Sequence, residues 1–258
     1  MTGALNRPAR MPSHPLQPSM PTSPPVTIPL PQPQSRGVFV RRLNRFAVEV
    51  ALDGGEVVVA HLPNSGRMLE LLVPGRPVVV THRPAPHRKT AYDLLLIEYH
   101  GHWVSVDSRL PPAVAAAALR LGAMPEWAAY RHVRREVAYH DSRLDLELTD
   151  DAGGRCLIET KSCNLVEDGL ALFPDAPTTR GTRHLYTLVH AVQAGIAAGV
   201  LFIIQRDDAE RLRPFDAADP AFGQALRLAA AAGVTVAAYR CRVGPDAMVL
   251  DRAVPVEL

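Results

Sequence analysis

The sequence predicts a chain of the α+β / α/β class, with a small closed β-barrel in front and a mixed sheet flanked by helices behind. Three observations predict it. Five or six short apolar runs crowd into about 70 residues of the front half, each cut off by Gly, Pro or Asn turn signals. Ala- and Leu-rich stretches of helical period alternate with short apolar runs in the back half. Charge also divides near the middle: residues 36–135 carry 14 Lys/Arg against 8 Asp/Glu, and residues 136–258 carry 12 against 18. A basic part and an acidic part suit a polyanion held by one and a metal by the other. Two halves that merely attract each other fit the same numbers.

At 258 residues, 47% hydrophobic and 21% charged, the composition is that of a soluble globular protein of one large or two modest domains. Cys156, Cys163 and Cys241 form an odd set without metal-ligand spacing, which points to reduced thiols and a cytoplasmic setting. Residues 1–35 hold ten of the 24 prolines and read as a disordered or polyproline-like tail. This stretch lacks the apolar run of a signal peptide, and no later segment reaches the ~18 apolar residues of a membrane span. No membrane partner is expected.

Residues 36–107 supply the barrel. Runs at 38–40, 46–52, 57–62, 78–81, 94–99 and 103–106 read as strands, separated by Asp53-Gly54-Gly55, Pro63-Asn64-Ser65-Gly66, Pro74-Gly75 and Pro84-Ala85-Pro86. That count suits a closed barrel of the OB type. Arg41, Arg42, Arg45, Arg67, Arg88 and Lys89 fall in this region with Phe39, Phe46 and Tyr92. Together they suggest an anion-binding groove with stacking platforms. The aromatics, taken one at a time, read better as core, while the arginine cluster favours anion binding.

Residues 108–258 supply the sheet and helices. The segment 111–130 reads as a helix broken around 122–125. Arg131, Arg134, Arg135 and Glu136 then lead into a strand through Tyr139. A helix over 182–194 carries Arg180, Arg183 and His184 at its start, a natural place for a phosphate. The run 200–204 is a fully buried strand, 221–232 a second amphipathic helix closed by Gly233, and 234–243 and 248–256 are closing strands.

The stretch 143–161, RLDLELTDDAGGRCLIETK, reads as two strands and a tight turn. In the first, Leu144, Leu146 and Leu148 alternate with Asp145 and Glu147. In the second, Leu157, Glu159 and Lys161 share one face. Pairing of the two strands sets Asp145 beside Glu159, with Lys161 next along. Carboxylates about 4 Å apart repel by roughly 4 kcal/mol at an effective dielectric near 20, so a positive charge belongs between them. Lys161 fills that role alone, or a hard cation such as Mg²⁺ does so and also contacts phosphate. A surface salt bridge on an ordinary hairpin is the simpler reading of the spacing by itself. Only Lys89 and Lys161 are lysines, against 26 arginines, which hints that a compact point charge is wanted at 161.

SRLDLEL, LIETKSCNL and LFPDAPTTRGTRHLYTL resemble the sugar fermentation stimulation protein A (SfsA) family, and RFAVEV, HLPNSGRML, LVPG and HRKTAYDLLLI resemble its front segments in the same order. The resemblance runs from about Val38 to the C-terminus. It implies an N-terminal OB-like β-barrel followed by a restriction-endonuclease-like mixed-sheet α/β domain of the PD-(D/E)xK type, with DNA as partner. Carried over position by position, it implies Asp145, Glu159 and the Thr160 carbonyl as ligands of Mg²⁺ or Mn²⁺, Lys161 as catalytic lysine, and Glu136 as an outlying acid that holds a second metal or its water. Thr178-Thr179 stands where the family has a hydroxyl-acid pair, which leaves the role of that acid open. Two functions follow as expectations: a metal-dependent nuclease acting on DNA or RNA, and a DNA-binding regulator that does not cut. In either, Arg131, Arg134, Arg135, Arg180, Arg183 and His184 join the barrel's basic residues against phosphate. A homodimer is left open.

Overall fold

The structure, a computed structural model, describes residues 25–258. Its front part is built from β2 (Gln34–Asn44), β3 (Ala47–Leu52), β4 (Val57–His61), β5 (Pro77–His82), β6 (Tyr92–Tyr99) and β7 (His102–Ser105). Alternating residues Val48, Val50, Val58, Ala60, Val78 and Val80 turn inward with Phe39, Leu94 and Ile97, which is why short β-branched runs suffice here. The strands join in the order β4-β3-β2-β5-β6-β7. A parallel pairing of β4 with β6, Ala60↔Tyr92 and His61↔Asp93, closes five of them into an OB-like barrel.

Behind the barrel lies a seven-stranded mixed sheet. It adds β1 (Thr27–Pro29), β8 (His132–Tyr139), β9 (Ser142–Thr149), β10 (Arg155–Cys163), β13 (Ala197–Ile204), β15 (Thr235–Val243) and β16 (Ala247–Val254), ordered β1-β16-β15-β13-β10-β9-β8. The central pairs β10–β13 and β13–β15 are parallel and the others antiparallel. A small sheet of β11 (Val166–Glu167), β12 (Leu170–Phe173) and β14 (Arg211–Pro214) sits beside it.

Helices α2 (Thr179–Gln193) and α3 (Pro220–Ala231) cover one face of the large sheet. There Leu157, Phe202, Leu185, Leu188, Phe222 and Leu226 form one core cluster. Helix α1 (Pro111–Arg120) covers the other face over Ile158, Leu201 and Ile203, with Trp127 from a short turn that follows the break at Gly122. Strand β13 is therefore buried on both sides, which accounts for its unbroken apolar run. Each such fully buried Leu, Ile or Phe contributes about 1.5–3 kcal/mol of transfer free energy.

Two expectations need correction. The Pro-rich tail was expected to reach residue 35, but Thr27–Pro29 pairs with β16 and Val26 and Leu30 are buried. The prolines do not prevent this because the segment is an edge strand, where missing N–H donors cost little. Residues 1–24 lie outside the described part. The three leucines of β9 were also expected on one face. Leu144 instead joins the α2/α3 cluster while Leu146 and Leu148 join the α1 cluster. The faces exchange at Asp145, across from Glu136, whose φ of 59° is left-handed.

Barrel and sheet are welded together. Leu30, Val79, Leu95 and Leu96 form an apolar seam with Trp103 and Val243. A polar network runs alongside: Asn64 Nδ2 donates to Asn164 Oδ1 at 3.1 Å, Asn164 donates to the Ser105 carbonyl, and Gln205 bridges Ser105 and Ser162. Among the described residues, no helix is long and apolar enough to cross a membrane.

Candidate metal and phosphate site

The site forms where β9 and β10 part. Their ladder runs from Arg155↔Thr149 to Ile158↔Leu146 and stops there. One step on, the Asp145 side chain replaces the missing backbone partner: its Oδ2 accepts from the Thr160 N–H at 2.8 Å and from the Thr160 hydroxyl. A carboxylate so held is fixed against β10 at Thr160, close enough to Glu159 to feel its charge. Burial pushes the Asp145 carboxyl above its ordinary range, and the nearby Glu159 charge adds to the effect. The Thr160 bonds and Lys161 offset only part of it.

Glu159 is 5% exposed, Lys161 8% and His184 2%. Lys161 Nζ donates to Glu159 Oε1 at 2.8 Å, and His184 Nδ1 bonds the same oxygen. Burial alone would raise the Glu159 carboxyl, but Lys161 and then His184 outweigh it and hold the group well below the usual carboxylate range. The two acids are thus driven in opposite directions by their surroundings. All the bonding falls on Oε1. Glu159 Oε2 is buried with no hydrogen-bond partner among the described residues, an exception that asks for a cause.

Lys161 and Thr160 also line a cleft of about 230 Å³ between barrel and sheet. Asn64, Ser65 and Gly66 wall one side, and residues 173–178 the other. Asp175 ties those walls together by accepting the Met68 N–H at 2.9 Å, and a Cβ on Gly66 would meet its carboxylate at 2.6 Å. Asn64, Asn164 and Asp175 shape the cleft, yet sequence reasoning passed over them: Pro63-Asn64-Ser65-Gly66 read only as a turn, and the FPDA segment only as a family motif.

The expected residues divide. Asp145, Glu159, Thr160 and Lys161 come together: strand parity sets Glu159 and Lys161 on one face, and the Asp145 carboxylate joins them through its bonds to Thr160. Glu136 does not: its left-handed backbone turns it out of the alternation, where Arg143 holds its exposed carboxylate. Among the described residues, no group of three or more His, Cys, Asp or Glu side chains stands ready to hold a metal. His184 was expected on the phosphate-facing surface and is instead inside, because it lies on the face of α2 that also carries Leu185 and Leu188. Its Nε2 accepts from Arg180 at 3.4 Å.

The arginines divide as well. Arg88 is drawn inward by the buried Asp93, Arg41 pairs with Glu49, and Arg134 pairs with Glu147. Those three are committed within the fold. Arg42 donates to the carbonyls of Asn44, Arg45, Gly66 and Arg67, so its charge is fixed at the cleft mouth without a carboxylate partner. Arg45 donates to the Ser65 carbonyl and stands over the Phe46 ring, and among the described residues it pairs with no carboxylate. Arg67, Lys89, Arg131, Arg135, Arg180 and Arg183 are exposed. Of the expected aromatics, Phe39 is core at 1% exposure, Tyr92 packs half-buried against the same cluster, and Phe46 is open at 46%.

Comparison with known proteins agrees with this architecture. Residues 40–106 match the family model described as the SfsA N-terminal OB domain, and residues 109–247 match the sugar fermentation stimulation protein RE domain. A sugar fermentation stimulation protein homolog of Citrifermentans bemidjiense is 43% identical over 230 residues, spanning 89% of this chain and 99% of the relative. The homolog of Moorella thermoacetica is 46% identical over 232 residues with the same two shares. The solved structure of Pyrococcus furiosus SfsA in complex with Ca²⁺ superposes with a TM-score of 0.81 at 30% identity, covering 90% of this chain and 98% of that one.

Proposed function

This chain belongs to the sugar fermentation stimulation protein (SfsA) family, and from that premise we propose that it binds DNA and hydrolyses its phosphodiester bonds with a divalent cation held by Asp145 and Glu159. The observation that carries the reading is Glu159 Oε2, a buried carboxylate oxygen without a donor among the described residues, near the half-buried Asp145 carboxylate. Leaving a buried acceptor unmade costs about 1–3 kcal/mol, a cost that a bound cation removes. The donors are all oxygen, which suits Mg²⁺ or Mn²⁺, and the Ca²⁺ complex of the P. furiosus relative supports a hard cation.

Asp145 and Glu159 Oε2 would hold the ion, with the Thr160 carbonyl as a further ligand. When bound, such a cation neutralises phosphate charge and makes water a better nucleophile. Lys161 Nζ, at the cleft wall, orients the attacking water and balances the charge that builds on phosphorus. Arg45, Arg180 and Arg183 hold the flanking phosphates as point contacts without reading sequence. Glu136 takes no part.

Cleavage of end-labelled single- and double-stranded DNA and RNA, with Mn²⁺ and with EDTA, tests this. The expected result is cutting of DNA only with the metal, abolished by Lys161→Ala while binding in EDTA persists. A Lys161→Ala protein that cuts like the parent overturns the assignment. One observation favours the second reading, a DNA-binding regulator that does not cut: Lys161 already neutralises Glu159, and among the described residues no third acid joins the pair. Salt-sensitive DNA binding with every substrate left intact in Mn²⁺ would select it.

A further inference from the structure

The depth of the site and the surface leading from it restrict what kind of strand can reach Lys161. Thr160 and Lys161 line a cleft of about 230 Å³, walled by the barrel segment around Asn64 and Gly66 and by residues 173–178, and Lys161, itself buried, carries the contact on to Glu159. A B-form duplex, whose major groove alone is about 12 Å wide, carries each phosphate on a stiff, stacked cylinder. It cannot lower one phosphate to a buried amine without drawing the neighbouring base pairs in as well. A single strand can, because its backbone turns freely.

The surface beside the cleft is suited to such a strand. A second depression, about 430 Å³, runs along the barrel and shares Arg45, Ser65, Gly66 and Ala176 with the cleft, so the two are continuous. Arg42, Arg45 and Arg67 line it. Arg42 presents its charge while its hydrogen bonds are spent on four backbone carbonyls, so it can attract a backbone but has little left to read a base edge. At the far side Phe46 stands open, with the Arg45 guanidinium 5.5 Å from its ring centroid and the His61 ring 6.5 Å away. An exposed aromatic beside a cation is a stacking platform for any base. A merely structural phenylalanine would be buried, as Phe39 is on the neighbouring strand.

We propose that the ligand of this site is single-stranded nucleic acid, bound with a base on Phe46 and its backbone led over Arg45 into the cleft of Lys161. The inference rests on the nuclease reading for the direction of the strand, not for its binding. The track reads no base edges, so sequence preference is weak.

Fluorescence anisotropy in EDTA, where nothing is cut, tests it with a labelled single-stranded oligonucleotide and the same sequence as a duplex. The single strand binds the parent protein about tenfold or more tightly than the duplex. Phe46→Ala weakens single-strand binding on the order of tenfold, Phe46→Trp restores it, and both variants melt with the parent because the side chain is exposed. Duplex binding as tight as single-strand binding, or Phe46→Ala binding like the parent, overturns the inference. The two readings fail separately. Mn²⁺-dependent cutting with either of those binding results leaves the nuclease and removes the track. The expected binding pattern without cutting leaves the track and removes the nuclease.

Discussion

Two buried acids, one in the barrel and one in the sheet, show how differently the same pairing can be used. Asp93 on β6 is fully buried, and Arg88 and Arg109 reach in to bond both of its oxygens. Burial would raise its carboxyl, and the two guanidinium groups more than reverse that. Glu159 on β10 is as deeply placed and is likewise held down, by Lys161 and His184, but every bond falls on one oxygen. Planar guanidinium forks saturate a carboxylate; an ammonium and an imidazole converging on Oε1 leave the other oxygen bare. The saturated acid is a pin in the fold, and the half-satisfied one is where the proposed cation would bind.

The largest effect that would sharpen this contrast is on chemistry. Glu159→Gln keeps an acceptor for Lys161 and His184 but removes the charge on Oε2. Cutting should fall by at least ~10²–10³-fold, with a melting temperature below the parent's because the buried Lys161 loses its counter-charge. A variant that still cuts breaks the comparison at the sheet. Next comes stability in the barrel. Asp93→Ala removes charge-assisted hydrogen bonds from the part-exposed Arg88 and Arg109 and should lower the unfolding free energy by about 1.5–3 kcal/mol in urea, with cutting per folded molecule unchanged. An unaltered midpoint would mean that Asp93 is no pin.

A smaller effect concerns pH. Asp145 holds its proton above the usual carboxylate range because of burial first and Glu159 second. A cation needs the ionised form, so Ca²⁺ affinity is full above that raised value and drops as pH falls through it, with proton release on binding near it. Calorimetric Ca²⁺ titration at two pH values, in buffers of different ionisation heat, measures both. Without a cation the sign for stability is opposite. The folded chain binds this proton more tightly than the unfolded one, so the contribution of Asp145 to stability declines as pH rises past the unfolded value. Flat affinity across that range would remove Asp145 from the ligand set. The smallest effect separates free from committed arginines. Arg45→Ala should reduce the salt dependence of nucleic-acid binding by about one phosphate contact, whereas Arg41→Ala, whose partner is Glu49, should leave it alone.

Much of this was legible before any coordinates. The barrel strands, the buried run of β13 and the helix that ends at Gly233 follow from apolar period and turn residues, which act over a few neighbours. The shared face of Glu159 and Lys161 was legible too, because side chains two apart on a strand share a face whatever surrounds them. Glu136 was misplaced because one left-handed residue breaks that parity, and nothing in HVRREVAY announces it.

By itself, then, the sequence determined which segments are strands and helices and the shared face of Glu159 and Lys161, since each depends on local spacing, and the family through its longer matching segments. Tertiary structure alone decided that His184 turns inward onto Glu159, that Arg88 is spent on Asp93 while Arg45 stays free, and that Asn64 and Asp175 wall a cleft with Asn164. Those partners stand 5 to 107 residues apart in the chain. Which charge meets which is set by how barrel and sheet dock, and a pattern of period two or 3.6 carries no record of that.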